Sequence, residues 1–199
     1  MVFSDFDLKT AVQTFGLVVD QDTNLFAAVE PLQPSPFVQV WLEKFALVAL
    51  GVNSEKARSE FIIAPMLAEA QLRAGTVVNV LPGVTFDVDK AQGLSGFCDF
   101  LIARSAAIYY IQGPIIAVVE AKKEDIIAGL GQCVAAMVAI RLYNEQDGTP
   151  IPAVFGCVTS GNNWRFLKLE GPKLIVDRPE YHIHDAATII GILVSIMRG

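Results

Sequence analysis

Ile115-Ile116-Ala117-Val118-Val119-Glu120-Ala121-Lys122-Lys123 is the stretch that decides the fold. Its apolar run does not alternate with polar residues, so it reads as a strand buried on both faces, in a sheet covered by helices on each side. The turn Gln112-Gly113-Pro114 leads into it, and good helix formers follow from about Glu124 to Asn144. Upstream, Thr76–Val80, Val84–Val88 and Phe97–Ala103 read as strands, with a turn at Leu81-Pro82-Gly83 and an extension of the last through Ala107–Ile111. Downstream, Ala153–Thr159, Trp164–Glu170 and Lys173–Asp177 read as strands, the first two joined by the turn Ser160-Gly161-Asn162-Asn163.

Helix signals bracket this region. Ser4 is a cap candidate, with Phe3 and Leu8 placed as a hydrophobic staple, for a helix to about Phe15. Ser35 precedes Pro36, which suits the first helical position, and Gly51 is the expected stop. A third helix runs from Ser54 to Gly75, and Pro65 is expected to kink or divide it because its ring removes one intrahelical hydrogen bond. The last helix starts near Asp185. The expected fold is α/β: one domain over residues 1–199, a helical extension at 1–53 and a core at 54–199 built on a central mixed sheet flanked by helices.

Composition agrees with a chain that folds on a large core. Of 199 residues, 53% are hydrophobic and 18% charged, which is more core material than an average soluble domain carries. The surplus favours self-association or a protein partner. The apolar stretches at Ile126–Tyr143 and Ala186–Met197 are respectively interrupted by Gln132 and Arg141 and too short to cross a bilayer, and the N-terminus lacks a secretory pattern, so no membrane partner and a cytoplasmic location are expected. Cys98, Cys133 and Cys157 lie in apolar sequence without C-x-x-C spacing and read as reduced, buried thiols. His182 and His184, with no cysteine nearby, read as surface or loop residues rather than zinc ligands. The net charge of −6 excludes a broad basic footprint for nucleic acid, although bound divalent cations would change the local field.

Asp99 interrupts the apolar sequence Phe97-Cys98-Asp99-Phe100-Leu101-Ile102, and Glu120 closes the run that begins at Ile115. A buried carboxylate without a partner is expensive, so both need a cation or a donor. Lys122 lies two residues beyond Glu120, on the same face of the strand. Two converging carboxylates suit Mg²⁺, a hard ion that prefers oxygen ligands, and a lysine beside them can orient water and limit repulsion between the acids. Asp99 and Glu120 are the expected metal ligands, and phosphodiester hydrolysis is the chemistry such a group suits.

These residues resemble the PD-(D/E)XK phosphodiesterase superfamily, whose pattern is an Asp on one strand and acid-x-Lys on the next. Here that reads as Asp99, then Glu120-Ala121-Lys122. The resemblance covers about residues 55–170 and implies a restriction-endonuclease-like fold with an α-β-β-β-α-β core. It further implies a metal-dependent nuclease, a hydrolase acting on DNA as the favoured nucleic acid, using Mg²⁺ or alternatively Mn²⁺. Two sites related by a two-fold axis, as in a homodimer, would suit cutting both strands. Glu60 matches the further acid that members often supply from the preceding helix, as a catalytic residue and metal ligand; Glu55 and Glu69 lie on the same segment. Gln132 matches the Gln on the following helix. The chain departs from the pattern at Cys98, where many members have Pro, and at Ala136, where one subfamily has Tyr.

Plainer readings stand beside these. Glu120 and Lys122 would also make an ordinary ion pair at a strand end, Asp99 would also satisfy backbone donors in a bend, and Gln132 would also bond a buried backbone group. Trp164 and Phe166 read as core, Lys123 as solvent-facing, and Gly93 and Gly96 as turn residues. A non-catalytic nucleic-acid-binding or assembly subunit with the same fold is the alternative to an enzyme.

Overall fold

A computed structural model describes residues 1–199. In chain order the elements are α1 (Leu8–Thr14), β1 (Val18–Asp20), α2 (Pro36–Val52), α3 (Glu55–Arg58), a π-helical turn (Ser59–Ile63), α4 (Ala64–Ala74), β2 (Asn79–Asp89), β3 (Leu94–Ala103), β4 (Ile115–Ala121), α5 (Leu130–Gln146), β5 (Val154–Thr159), β6 (Asn163–Glu170), β7 (Lys173–Val176), β8 (Tyr181–His182) and α6 (Ala186–Arg198). The strands form one open mixed sheet in the order β1-β7-β6-β5-β4-β3-β2, with β8 paired to β6. Only β1–β7 and β4–β5 run parallel. The β4–β5 pair is bridged by α5, the long crossover that a parallel pair requires.

Helices cover both faces. On one, α5 and the N-terminal segment bury Phe3, Phe6, Leu101, Val118, Met137 and Val158. On the other, α4 and α6 bury Met66, Leu67, Phe100, Trp164, Phe166 and Leu193. β4 therefore contributes to both cores and is buried along its whole length, which explains its unbroken apolar sequence. No helix is long and apolar enough to cross a membrane.

Several boundaries differ from the sequence expectation, each for a local reason. The first α-helix is capped by Asp7, whose side chain accepts from Thr10 N–H at 2.7 Å, while Ser4 sits in a preceding 3₁₀ turn. α2 begins at Pro36 as expected but runs past Gly51 to Val52 and is capped by Asn53, which takes the left-handed conformation that the cap needs. β2 is continuous through Pro82 and Gly83 instead of breaking into two strands, because Gly83 adopts φ +65° and bends the strand without ending it. Ala107–Ile111 is not strand; Ile108, Tyr109 and Tyr110 lie exposed in a loop. α5 starts at Leu130, not near Glu124. The short strands β1 and β8 carry too few residues for alternation to reveal them.

Pro65 acts upstream of itself. It cannot donate to the carbonyl of Phe61, and the chain widens into the π turn at Ser59–Ile63 before α4 continues. The Phe61 carbonyl accepts instead from the indole N–H of Trp41 on α2, at 3.0 Å. The helix is thus re-aimed rather than divided, and α2 is fastened across the turn.

Candidate active site at the β3–β4 edge

The site grows out of an irregularity shared by β2 and β3. Cys98 and Leu101 both pack into the α5-side core, whereas Phe100 and Ile102 pack into the opposite one. Regular strands alternate every residue, so the alternation slips at Asp99. Gly83 stands between Pro82 and Val84, which pair with Phe100 and Cys98, and its left-handed backbone lets β2 follow the same bend. The β3–β4 ladder reaches Phe100↔Val119, and beyond it the Asp99 side chain takes over: Ala121 N–H donates to Asp99 Oδ2 at 2.8 Å. Continuing that register by one step sets Asp99 opposite Glu120.

Glu120 is fully buried. Its Oε2 accepts from Gln132 Nε2 at 2.7 Å, and the other face of the same amide, Gln132 Oε1, accepts from Lys122 Nζ at 2.9 Å. One glutamine on α5 thus joins the carboxyl to the ammonium two residues along. Glu120 Oε1 is buried and has no partner. Burial pushes the Glu120 carboxyl well above the usual range, the charge of Asp99 adds to this, and Lys122 opposes it. Without a cation, the buried carboxyl therefore favours its protonated form.

Lys122 is aimed by what surrounds its backbone and stem. Its N–H donates to Thr159 O at 2.8 Å, carrying the β4–β5 alignment one residue past the strand. Its stem passes over Gly129, where an added Cβ would stand 2.9 Å from Lys122 Cε and 2.7 Å from Val158 Cγ1. Any larger residue there would displace the lysine. Lys123 is exposed, as strand alternation predicts.

A cleft of about 540 Å³ opens beside this group, with Glu55, Lys56, Glu60, Gly83, Phe97 and Asp99 in its wall. It reaches Asp99 but is not lined by Glu120 or Lys122. Glu60 does line the cleft, but its carboxylate is held by Lys56 at 2.7 Å and is more than half exposed. Glu55, five residues earlier, is the helical acid in electrostatic contact with the site: partial burial raises its carboxyl, Lys122 works against that rise and Asp99 adds to it. Glu69 is committed elsewhere, accepting from Ser35 N–H and Oγ–H and pairing with Arg73. The sequence signal for Glu55 was its place directly after the cap Ser54, whereas Glu60 was favoured through the resemblance, as the acid matching the one supplied from the preceding helix.

The structure therefore brings Asp99, Glu120, Lys122 and Gln132 together and leaves Glu60 on the cleft wall in an ion pair with Lys56. No three His, Cys, Asp or Glu side chains are grouped to hold a metal ion. The histidines stack on one another, ring centroids 4.5 Å apart, away from these residues, and all three cysteines are free and buried. Trp164 and Phe166 are core.

The loops around the site are tied to the helical extension. Asn53, the α2 cap, donates to Glu124 Oε1 at 2.9 Å and accepts from Arg58, whose other amino group donates to Ser160 O at 2.7 Å. No protein-family model matches the chain, and comparison with curated proteins and with solved structures returns no match.

Proposed function

We propose that the protein is a divalent-metal-dependent nuclease of the PD-(D/E)XK superfamily, hydrolysing phosphodiester bonds with DNA as the favoured substrate. The order α4, β2, β3, β4, α5, β5 supports this, since it follows the α-β-β-β-α-β core of that superfamily. The observation that carries the reading is the buried, unpartnered Oε1 of Glu120 beside Asp99, in a carboxyl already joined to Lys122 through Gln132. With the carboxyl ionised, leaving such an oxygen without a partner costs roughly 1–3 kcal/mol, a cost that a bound cation would remove.

Asp99 and Glu120 would hold the ion. They fit Mg²⁺ or Mn²⁺ without a third acid, because Mg²⁺ commonly binds one or two carboxylates and keeps several waters. When bound, the ion would neutralise charge on the scissile phosphate and lower the pKa of the attacking water. Lys122 sits where its ammonium would orient that water and offset the charge of the two carboxylates, and Gln132 fixes the lysine's position. Lys56 on the cleft wall, once released from Glu60, and exposed Lys123 beside Lys122 would be the cations available to a phosphate backbone, a modest number that suits weak, salt-sensitive binding by a chain of net charge −6.

The lack of a third grouped acid and the ion pair holding Glu60 favour, as a second reading, a non-catalytic subunit of the same fold. Incubation with supercoiled, linear and single-stranded DNA and with RNA, in Mg²⁺ and in Mn²⁺, separates the two. The enzyme reading expects cleavage that Lys122→Ala lowers on the order of 10²-fold or more, and a much milder loss in Lys123→Ala. Absence of cleavage in every condition supports the binding subunit.

A further inference from the structure

The outer face of α2 is apolar and uncovered. Phe37, Val40, Leu47 and Val48 are all about half exposed or more, reaching 78% at Leu47, whereas Val38 and Ala49 on the opposite side are buried. Residues 37, 40, 44, 47 and 51 are spaced three and four apart in alternation, the heptad spacing of a coiled-coil seam. The seam holds Phe37, Val40 and Leu47 with Lys44 at its middle, and Trp41 and Val48 flank it on one side with Glu43 on the other. A helix that met only water would not need this pattern on the side facing away from its own core.

We infer that α2 packs against α2 of a second copy of this chain, antiparallel, to form a two-fold symmetric dimer. The charges on the seam select this occupant and this direction. A parallel pair would oppose Lys44 to Lys44 within the apolar seam. In the antiparallel pair, Phe37 meets Leu47 and Val40 meets Lys44, so the lysine stem lies over Val40 and its ammonium reaches Glu43 of the second copy. Symmetry makes the contact twice. A single polar residue at a seam position fixes register in this way at some cost in stability.

The area sets the size class of the interface. An apolar patch of this kind is on the order of 300–600 Å², so two copies bury roughly 1,000 Å² in total, the lower edge of specific interfaces. A dimer at that lower edge, with a charged residue in its seam, is expected to be reversible. The inference is independent of the nuclease reading, because no residue of the seam belongs to the candidate site.

Sedimentation velocity of the full chain between about 1 and 100 μM tests it, with circular dichroism confirming that each variant is folded. The parent is expected to pass from the 21.5 kDa monomer to a dimer as concentration rises. Leu47→Asp, at an exposed position, is expected to remain monomeric. Lys44→Glu alone and Glu43→Lys alone each set like charges across the seam and should weaken the dimer about tenfold, while an equimolar mixture of the two variants restores the attraction and should dimerise like the parent. A parent that stays monomeric at about 100 μM overturns the inference, whether the face is then covered by another protein or left bare. So does a dimer that Leu47→Asp leaves intact, or a mixture that associates no better than its components.

Discussion

Gln132 donates to one oxygen of the Glu120 carboxyl at 2.7 Å, the other oxygen, equally buried, has no donor, and the protonated carboxyl hydrogen-bonds to Asp99. The glutamine presents its amide hydrogens to the carboxyl and its oxygen to Lys122, so it fixes both groups without neutralising either. One oxygen of the carboxyl is thus fixed by an amide donor and the other has none. That asymmetry sets the behaviour of the metal-free protein.

Glu120→Gln should stabilise the metal-free protein, by an amount that grows with pH. A carboxyl whose folded pKa is raised contributes stability while protonated and loses it as pH rises through the folded value. The difference in unfolding free energy between variant and parent should be small near pH 4 and widen toward neutrality, to on the order of 1–3 kcal/mol. Carboxyls held low, such as that of Asp20 beside Lys173 and Thr23, respond to acid equally in both proteins and cancel. A difference independent of pH would show that Glu120 is ionised and satisfied in the folded state.

Glu55 and Glu60 should separate in a Mg²⁺ titration of cleavage. Glu55→Gln is expected to raise the Mg²⁺ requirement roughly tenfold, the usual cost of losing a group that tunes a metal site. Glu60→Gln removes only an exposed i,i+4 ion pair with Lys56 and should change the requirement by less than about twofold. The reverse order would return Glu60 to the site.

Trp41→Phe should destabilise the protein by about 1–2 kcal/mol, since the Phe61 carbonyl then lacks a donor. Pro65→Ala supplies the N–H that the proline withholds, so the tryptophan substitution should cost less in that background. Chemical denaturation of the four proteins gives the coupling directly. Equal costs in both backgrounds would mean that the π turn is held by packing alone.

Much of this architecture was legible in the sequence because it rests on local signals. The doubly buried β4 announced itself as an uninterrupted apolar run, and Ser35-Pro36, Ser54 and Asp185 marked three helix starts. Asp99, Glu120 and Lys122 stood out because charge in apolar sequence is costly. What the sequence concealed depends on geometry between elements. The π turn changes the direction in which residues from Ser59 onward point, so a match to a helical acid could not by itself separate Glu60 from Glu55. The shared bend at Gly83 and Asp99 involves two strands at once, and a Leu-Pro-Gly sequence read singly resembles a turn. The uncovered face of α2 could not be assigned before its buried face was known.

The central claim, that Asp99 and Glu120 together hold a divalent ion, is tested most directly by thermal unfolding of the parent and of Asp99→Asn with and without Mg²⁺. A single site with a dissociation constant of roughly 1 mM gives about 1.4 kcal/mol of stabilisation at about 10 mM ion, a midpoint rise of roughly 3–5 °C for a domain of this size. The parent should show that rise, and Asp99→Asn, which keeps the shape but loses a charged ligand, should show little of it. An equal rise in both proteins, or none in the parent, would contradict the claim.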